Sequence, residues 1–279
     1  MQKKLLTVQD ISCIGQCSLT VAMPIVSAYG VETCILPSAV LSTHTGGFKG
    51  KFTFRDLTDD FPAIIRHWTE NDIRFDALYT GYIGNAKQFE YIGEIRRSLM
   101  ADGAPVIIDP AMADNGKLYY GFDSEFVAKM AGFTASSDYC LPNITEASLM
   151  LGMEYKTEYN EEYVRQICRG LRDIGVKNVL LTGVSFDPSE LGIAFYQSEN
   201  DTVRYHFEKR IPVAMHGTGD VFASVFAGAL LGGKDPFDAG VEAARFVGRA
   251  ILNTVDHPEH FYGVNFEGVI AEERNASDN

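Results

Sequence analysis

The sequence has no run of about 18 consecutive apolar residues, so no segment is expected to cross a bilayer as a helix. Only the short stretch Leu5 to Val8 follows Met1 to Lys4, too brief for the core of a secretion signal. Basic residues are outnumbered, 24 against 37 acidic, and the formal charge of −13 withholds the basic footprint that binding a phosphate backbone needs. Nucleic acid is therefore not an expected partner. The five cysteines (Cys13, Cys17, Cys34, Cys140, Cys168) are odd in number and include no Cys-x-x-Cys pair, a usage expected of a reducing cytoplasm. Cys13 and Cys17 lack a second metal-binding pair and read as small fillers near a turn.

Familiar motifs are missing too. No Gly-x-Gly-x-x-Gly follows the first apolar run, which argues against a nicotinamide dinucleotide, and no Gly-x-Ser-x-Gly elbow supports an α/β-hydrolase. Gly228 to Lys234 has the spacing of a P-loop. Asp235, however, stands where the hydroxyl residue belongs, and a helical run rather than a strand precedes it.

What is present is a chain of 279 residues, 46% hydrophobic and 22% charged, enough to bury a large core. No repeat or Pro/Ser-rich linker divides it, and it is read as one domain over residues 1–279. Short apolar runs at Leu5–Val8, Thr33–Leu36, Ala77–Tyr79, Val106–Ile108, Tyr139–Leu141 and Val179–Leu181 predict strands. Between them, Leu19–Ala28, Leu57–Glu70, Ala86–Met100, Glu125–Ala131, Thr145–Leu151 and Glu161–Ile174 carry apolar residues at helical spacing. This alternation predicts an α/β fold of three layers, a mostly parallel central sheet with helices on both faces. Leu191–Tyr196 and Thr202–Phe207 predict an antiparallel hairpin. The acidic tail from Glu267, with Glu272, Glu273, Arg274 and Asp278, reads as a solvated end.

In such sheets ligands gather at the carboxyl ends of the strands, and polar residues recur there. Asp10 and Ser12 follow the first strand, Ser42 to Gly47 with His44 and Thr45 the second, and Gly81-Tyr82 the third. Asp109-Pro110 with Asp114 follows the fourth, Asn143 and Glu146 the fifth, and Thr182-Gly183 the sixth. Each has a structural alternative: Asp109-Pro110 as a strand stop, Asn143 and Glu146 as a helix cap and its box partner, Tyr82 as packing, His44 as a hydrogen-bonding scaffold. Taken together, the carboxylates of Asp109, Asp114 and Glu146 are hard oxygen donors of the kind Mg²⁺ takes beside nucleotide phosphates. His216-Gly217-Thr218-Gly219-Asp220 then leads into the apolar run Val221 to Gly232. Two glycines about a threonine let N–H groups converge on an anion, and a helix dipole adds positive potential. Asp220 either caps that helix or faces the bound group as a base.

The ordered set Ser42-Thr43-His44-Thr45-Gly46-Gly47, Thr80-Gly81-Tyr82, Asp109 to Asp114, Pro142-Asn143-x-x-Glu146 and Gly217-Thr218-Gly219-Asp220 resembles the ribokinase-like superfamily, and within it the pyridoxal/pyridoxamine kinases. The resemblance implies a homodimeric cytoplasmic kinase that phosphorylates the hydroxymethyl group of a B6 vitamer with ATP and Mg²⁺, and it leaves a monovalent cation such as K⁺ open. It implies that Asp220 is the general base and that Gly217, Thr218 and Gly219 form the anion hole. Asp10, Ser12, Thr45 and Tyr82 would bind the vitamer. Asp109, Asp114, Asn143, Glu146, Thr182 and Gly183 would surround the nucleotide, with Asp109 and Glu146 toward the metal. Asp10 replaces a serine frequent in the family, and Ala113 a glycine. These departures keep two alternatives open, a kinase of another small alcohol such as hydroxymethylpyrimidine or a sugar, and a non-catalytic binding protein of the same fold.

Overall fold

The computed structural model describes residues 2–135 and 137–277. The chain opens with β1 (Lys4–Ser12), α1 (Leu19–Ala28), β2 (Glu32–Leu41), β3 (Phe54–Asp56), α2 (Phe61–Glu70), β4 (Ala77–Thr80), α3 (Gln88–Ser98) and β5 (Val106–Ile108). The small pair β6 (Ala113–Asp114) and β7 (Lys117–Leu118) precedes α4 (Ser124–Thr134), β8 (Tyr139–Cys140), α5 (Ile144–Leu151), α6 (Glu161–Asp173) and β9 (Asn178–Val184). The hairpin β10 (Glu190–Gln197) and β11 (Thr202–Lys209) leads to α7 (Thr218–Leu231), α8 (Pro236–Leu252) and α9 (Glu267–Ser277).

The main sheet runs β11-β10-β9-β8-β5-β4-β1-β2-β3. Pairing is parallel from β2 to β9 and antiparallel at β3 and at β10 and β11, so the carboxyl ends of the six parallel strands share one rim. Period-two alternation divides the core. Leu6, Val8, Leu78 and Ile108 face one layer with Ile65, Ile92, Met130 and Ile167, while Leu5, Ala77, Tyr79 and Ile107 face the other with Val21, Phe226 and Phe246. Helix α7 is buried on nearly all sides because α1 and α8 flank it on the sheet, which accounts for its small apolar composition.

The strands, helices and hairpin read from periodicity are found, while three features extend beyond that reading. Asn115 and Gly116, at φ 49° and 75°, make the two-residue turn that pairs β6 with β7. Asp235, in the rejected P-loop look-alike, caps α8 by accepting from Phe237 N and Asp238 N at 3.0 and 3.4 Å. The tail is not merely a solvated end: it forms α9, buries Val269 and pairs Glu272 and Glu273 with Arg249 at 2.9 and 2.7 Å. Asp278, read as part of that end, lies outside the described residues.

Phe226, fully buried against the Tyr139 ring, anchors α7 to the sheet. Phe226→Ala is expected to lower unfolding free energy by about 3–5 kcal/mol, seen as a reduced urea midpoint at unchanged slope.

Candidate active site

Helix α7 begins at Thr218, so the N–H groups of Thr218, Gly219 and Asp220 precede Val221 N, the donor that closes the first turn on Gly217 O at 2.9 Å. Gly217 is the cap, at φ 79°, and a Cβ there would lie 1.7 Å from the Gln16 carbonyl oxygen. Both conformation and space demand glycine. Asp220 stands in the first turn and does not cap the helix. Its carboxyl group turns instead to the segment between β1 and α1, accepting from the Ser18 N–H and the Cys17 thiol. Burial, followed by the charge of Asp109 and then Asp10, pushes the Asp220 carboxyl up to about 8.

Asp10 is buried beside it, and its Oδ2 accepts from the Ser12 hydroxyl at 2.9 Å. The Tyr82 phenol is pushed up to about 12 by burial and by the Asp10 charge, so the two face the same space. Tyr82 also meets Phe122 with ring centroids 5.4 Å apart, giving that space an aromatic wall.

Asp109 and Glu146 form a second pair of buried acids. Burial raises both, Glu146 to about 7, and the charge of Glu146 raises Asp109 well above the carboxylate range. Glu146 completes a capping box: Asn143 Oδ1 accepts from Glu146 N at 2.9 Å, and Glu146 Oε2 accepts from Asn143 N at 2.9 Å. Its Oε1 accepts from Met112 N and Ala113 N at 3.0 and 3.4 Å, clamping the loop after β5. The structural alternative for Asn143 and Glu146 is thus realised, whatever further role they have. Asp114 is exposed and holds the Asn115 turn with both oxygens, at 2.8 and 2.9 Å. Thr182 N donates to Pro142 O at 2.9 Å, which extends the β8–β9 edge, and Gly183 is exposed at φ 73°.

Thr45 is exposed, on a loop fixed by its neighbour. His44 Nδ1 accepts from Gly46 N at 3.2 Å and its Nε2 lies 2.9 Å from Tyr262 O, an arrangement that assigns the proton to Nε2. Burial lowers the His44 pKa, in keeping with the neutral ring. His44 is the scaffold anticipated, and its ring lies 4.9 Å from that of His216, tying the Thr45 loop to the loop of Gly217.

Three groups escaped the sequence reading. Cys17, taken for a filler, donates to Asp220. Ser18, at φ 55° and ψ −129°, donates its hydroxyl to Asp10. Tyr119, just past the Asp109 to Asp114 motif but not part of it, has its phenol raised by burial and then by Glu146, Asp114, Asp109 and Asp220, so one side chain senses both acid pairs. None carries a sequence signal, because each is defined by what it faces across the cleft. A cavity of about 580 Å³ along α8, lined by Lys234, Glu242, Arg245, Arg249 and Glu273, lies elsewhere. Its charges largely pair among themselves.

The family model for phosphomethylpyrimidine kinase matches residues 26–265. A Bacteroides thetaiotaomicron protein described as a phosphomethylpyrimidine kinase, crystallised in an orthorhombic form with pyridoxal, superposes with a TM-score of 0.91 at 33% identity, over 98% of this chain and 96% of that one. The pyridoxal kinase of Lactobacillus plantarum gives a TM-score of 0.88 at 28% identity, over 98% and 96%. A pyridoxal kinase of Arabidopsis thaliana is 28% identical over 232 residues, 80% of this chain and 72% of the relative.

Two outcomes follow from the geometry. Gly217→Ala, forced onto the Gln16 carbonyl at positive φ, is expected to cost about 2 kcal/mol or more in thermal unfolding. Asp220 holds its proton to about pH 8 when folded, against roughly 4 in an unfolded chain. Its stabilising contribution is therefore complete below about pH 4 and lost as pH rises through 8. Asp220→Asn, which cannot ionise, should gain in melting temperature over wild type from pH 4 to pH 9.

Proposed function

Since the chain belongs to the phosphomethylpyrimidine kinase family, we infer that it is an ATP-dependent kinase that phosphorylates the hydroxymethyl group of pyridoxal, pyridoxamine or pyridoxine. The observation that carries this reading is the position of the Asp220 carboxylate. It lies in the first turn of α7, beside N–H groups that close no helical bond, where it feels the charges of Asp109 and Asp10, which in turn act with Glu146 and on Tyr82.

In phosphoryl transfer the protein positions reactants and neutralises charge. The vitamer ring lies against Tyr82, with Asp10, Ser12 and Thr45 around it, and turns its hydroxymethyl group toward Asp220. Asp220 accepts the hydroxyl proton as the oxygen attacks the γ-phosphorus and the bond from that phosphorus to the β,γ-bridging oxygen of ATP breaks. The N–H groups of Gly217, Thr218 and Gly219 face the oxygens of the phosphoryl group in flight, aided by the helix dipole. Asn143, Asp114, Thr182 and Gly183 line the nucleotide end of the rim.

Among the described residues no group of three or more His, Cys, Asp or Glu side chains gathers to hold a metal ion. Asp109 and Glu146 nevertheless fit Mg²⁺: they are hard oxygen donors, no cation pairs with either, and the charge of Glu146 raises Asp109. Glu146, whose oxygens already take three N–H bonds, would reach it through water. Bound there with ATP, Mg²⁺ would neutralise phosphate charge. The reading takes the chain as one kinase domain that works as a cytoplasmic homodimer, as the resemblance implies.

The matching family model favours hydroxymethylpyrimidine as a second acceptor. An ATP-consumption screen over the three vitamers, hydroxymethylpyrimidine and several sugars tests both readings. Turnover of vitamers is expected, and turnover of sugars alone would overturn the acceptor assignment. Asp220→Ala should lower kcat by about 10²-fold or more with nucleotide binding retained, and a fall within about threefold would remove Asp220 from the role. In wild type, kcat/KM should rise with pH to a plateau above about 8, because only the ionised carboxylate accepts the proton.

A further inference from the structure

Beneath the rim, on the face of the sheet that α7 covers, lies a row of polar side chains shut off from water. Thr7 and Gln9 of β1, Tyr79 of β4 and Ser224 of α7 are each 0% exposed. Thr7 pairs in register with Tyr79, so the three strand side chains share one face by period two. Gln9 Nε2 donates to Thr7 Oγ1 at 2.8 Å, and Ser224 Oγ donates to the Asp220 carbonyl at 2.6 Å. The Tyr79 hydroxyl is left over. It stands beside Ser224 and Gln9 but within hydrogen-bonding geometry of neither. A buried hydroxyl without a partner costs about 1–3 kcal/mol, and a phenylalanine would fill the same space without that cost.

What the hydroxyl faces accounts for it. Tyr79 pairs with Ile107 on the neighbouring parallel strand, and Asp109 N extends that pairing onto the Thr80 carbonyl at 2.9 Å. Asp109 therefore sits on the same face as Tyr79, one step nearer the rim. Burial, then the charges of Asp109 and Asp220, raise the phenol well above its ordinary range, so it stays a donor. Asp220 already holds the Ser18 N–H and the Cys17 thiol, whereas Asp109 Oδ1 accepts from Ala111 N at 3.2 Å and no donor among the described residues takes its other oxygen. We propose that Tyr79 is a positioning residue for Asp109: when a nucleotide binds, its hydroxyl takes the inner oxygen of the Asp109 carboxylate and aims the outer oxygen at the phosphate side of the cleft. Carboxylates that meet a cation are themselves held by hydrogen bonds of this kind. The assignment rests on the kinase reading above and adds to it a group that works from beneath the site.

Tyr79→Phe keeps the ring and removes the hydroxyl alone. Calorimetric titration with Mg·ADP is expected to show binding about tenfold weaker or more than in wild type, while pyridoxal binding stays within about threefold. The thermal midpoint of the ligand-free variant should equal or exceed that of wild type, because an unpartnered buried hydroxyl has gone. A hydroxyl that only props the fold gives the opposite, a lower midpoint with Mg·ADP binding within about threefold of wild type, and that result overturns the assignment. A double-mutant cycle isolates the route: in an Asp109→Ala background, Tyr79→Phe should change Mg·ADP affinity by less than about twofold, and a further loss of about tenfold would refute action through Asp109. A wild type that binds neither Mg·ADP nor pyridoxal overturns the function reading with it.

Discussion

Three buried acids, Asp10, Asp109 and Glu146, and the half-buried Asp220 converge at one rim of the sheet, and the rest of the site is arranged around the repulsion and desolvation that this creates. Like charges taken out of water raise one another's pKa and oppose folding. The protein answers with neutral donors. Glu146 is held by three backbone N–H groups, Asp220 by a backbone N–H and a thiol, and Asp10 by two hydroxyls. Donors of this kind hold each carboxylate in place without cancelling its charge, so that charge stays available to a ligand.

The same economy explains why little of the site is on rigid elements alone. The sheet supplies the rim, and helix α7, buried from Val221 onward, supplies an N-terminus open to the cleft, but the groups that meet there come from loops after different strands. Those loops are fixed by close contacts. Gly217 lies against the Gln16 carbonyl, His44 bridges Gly46 and Tyr262, and Glu146 clamps Met112 and Ala113. A neutral imidazole serves better in this position than a charged one, because its two nitrogens then divide into one donor and one acceptor that match a carbonyl and an N–H.

Two of the corrections share one physical origin. Cys17 has nothing in its neighbourhood to mark it, because its partner lies some two hundred residues away in the chain, on α7. Helix α9 hides in an acidic sequence because its burial depends on Val269 and Ile270 meeting a core built by other segments, with Arg249 of α8 countering its acids. Neither property belongs to a window of sequence.

What the sequence determined by itself is the layer order. Apolar runs of strand length alternating with helical periodicity leave a parallel sheet as the arrangement that covers both faces, and Gly-Thr-Gly-Asp before a small apolar helix marks where an anion fits. The capping box of Asn143 and Glu146 was equally legible, since it depends on a spacing of three residues. Only the tertiary structure decided which acids lack a cation, which way Asp220 turns, and which of Cys17, Ser18 and Tyr119 face it. Those are properties of distance through space and of exclusion from water, and a linear chain carries neither until strands far apart in sequence are laid side by side.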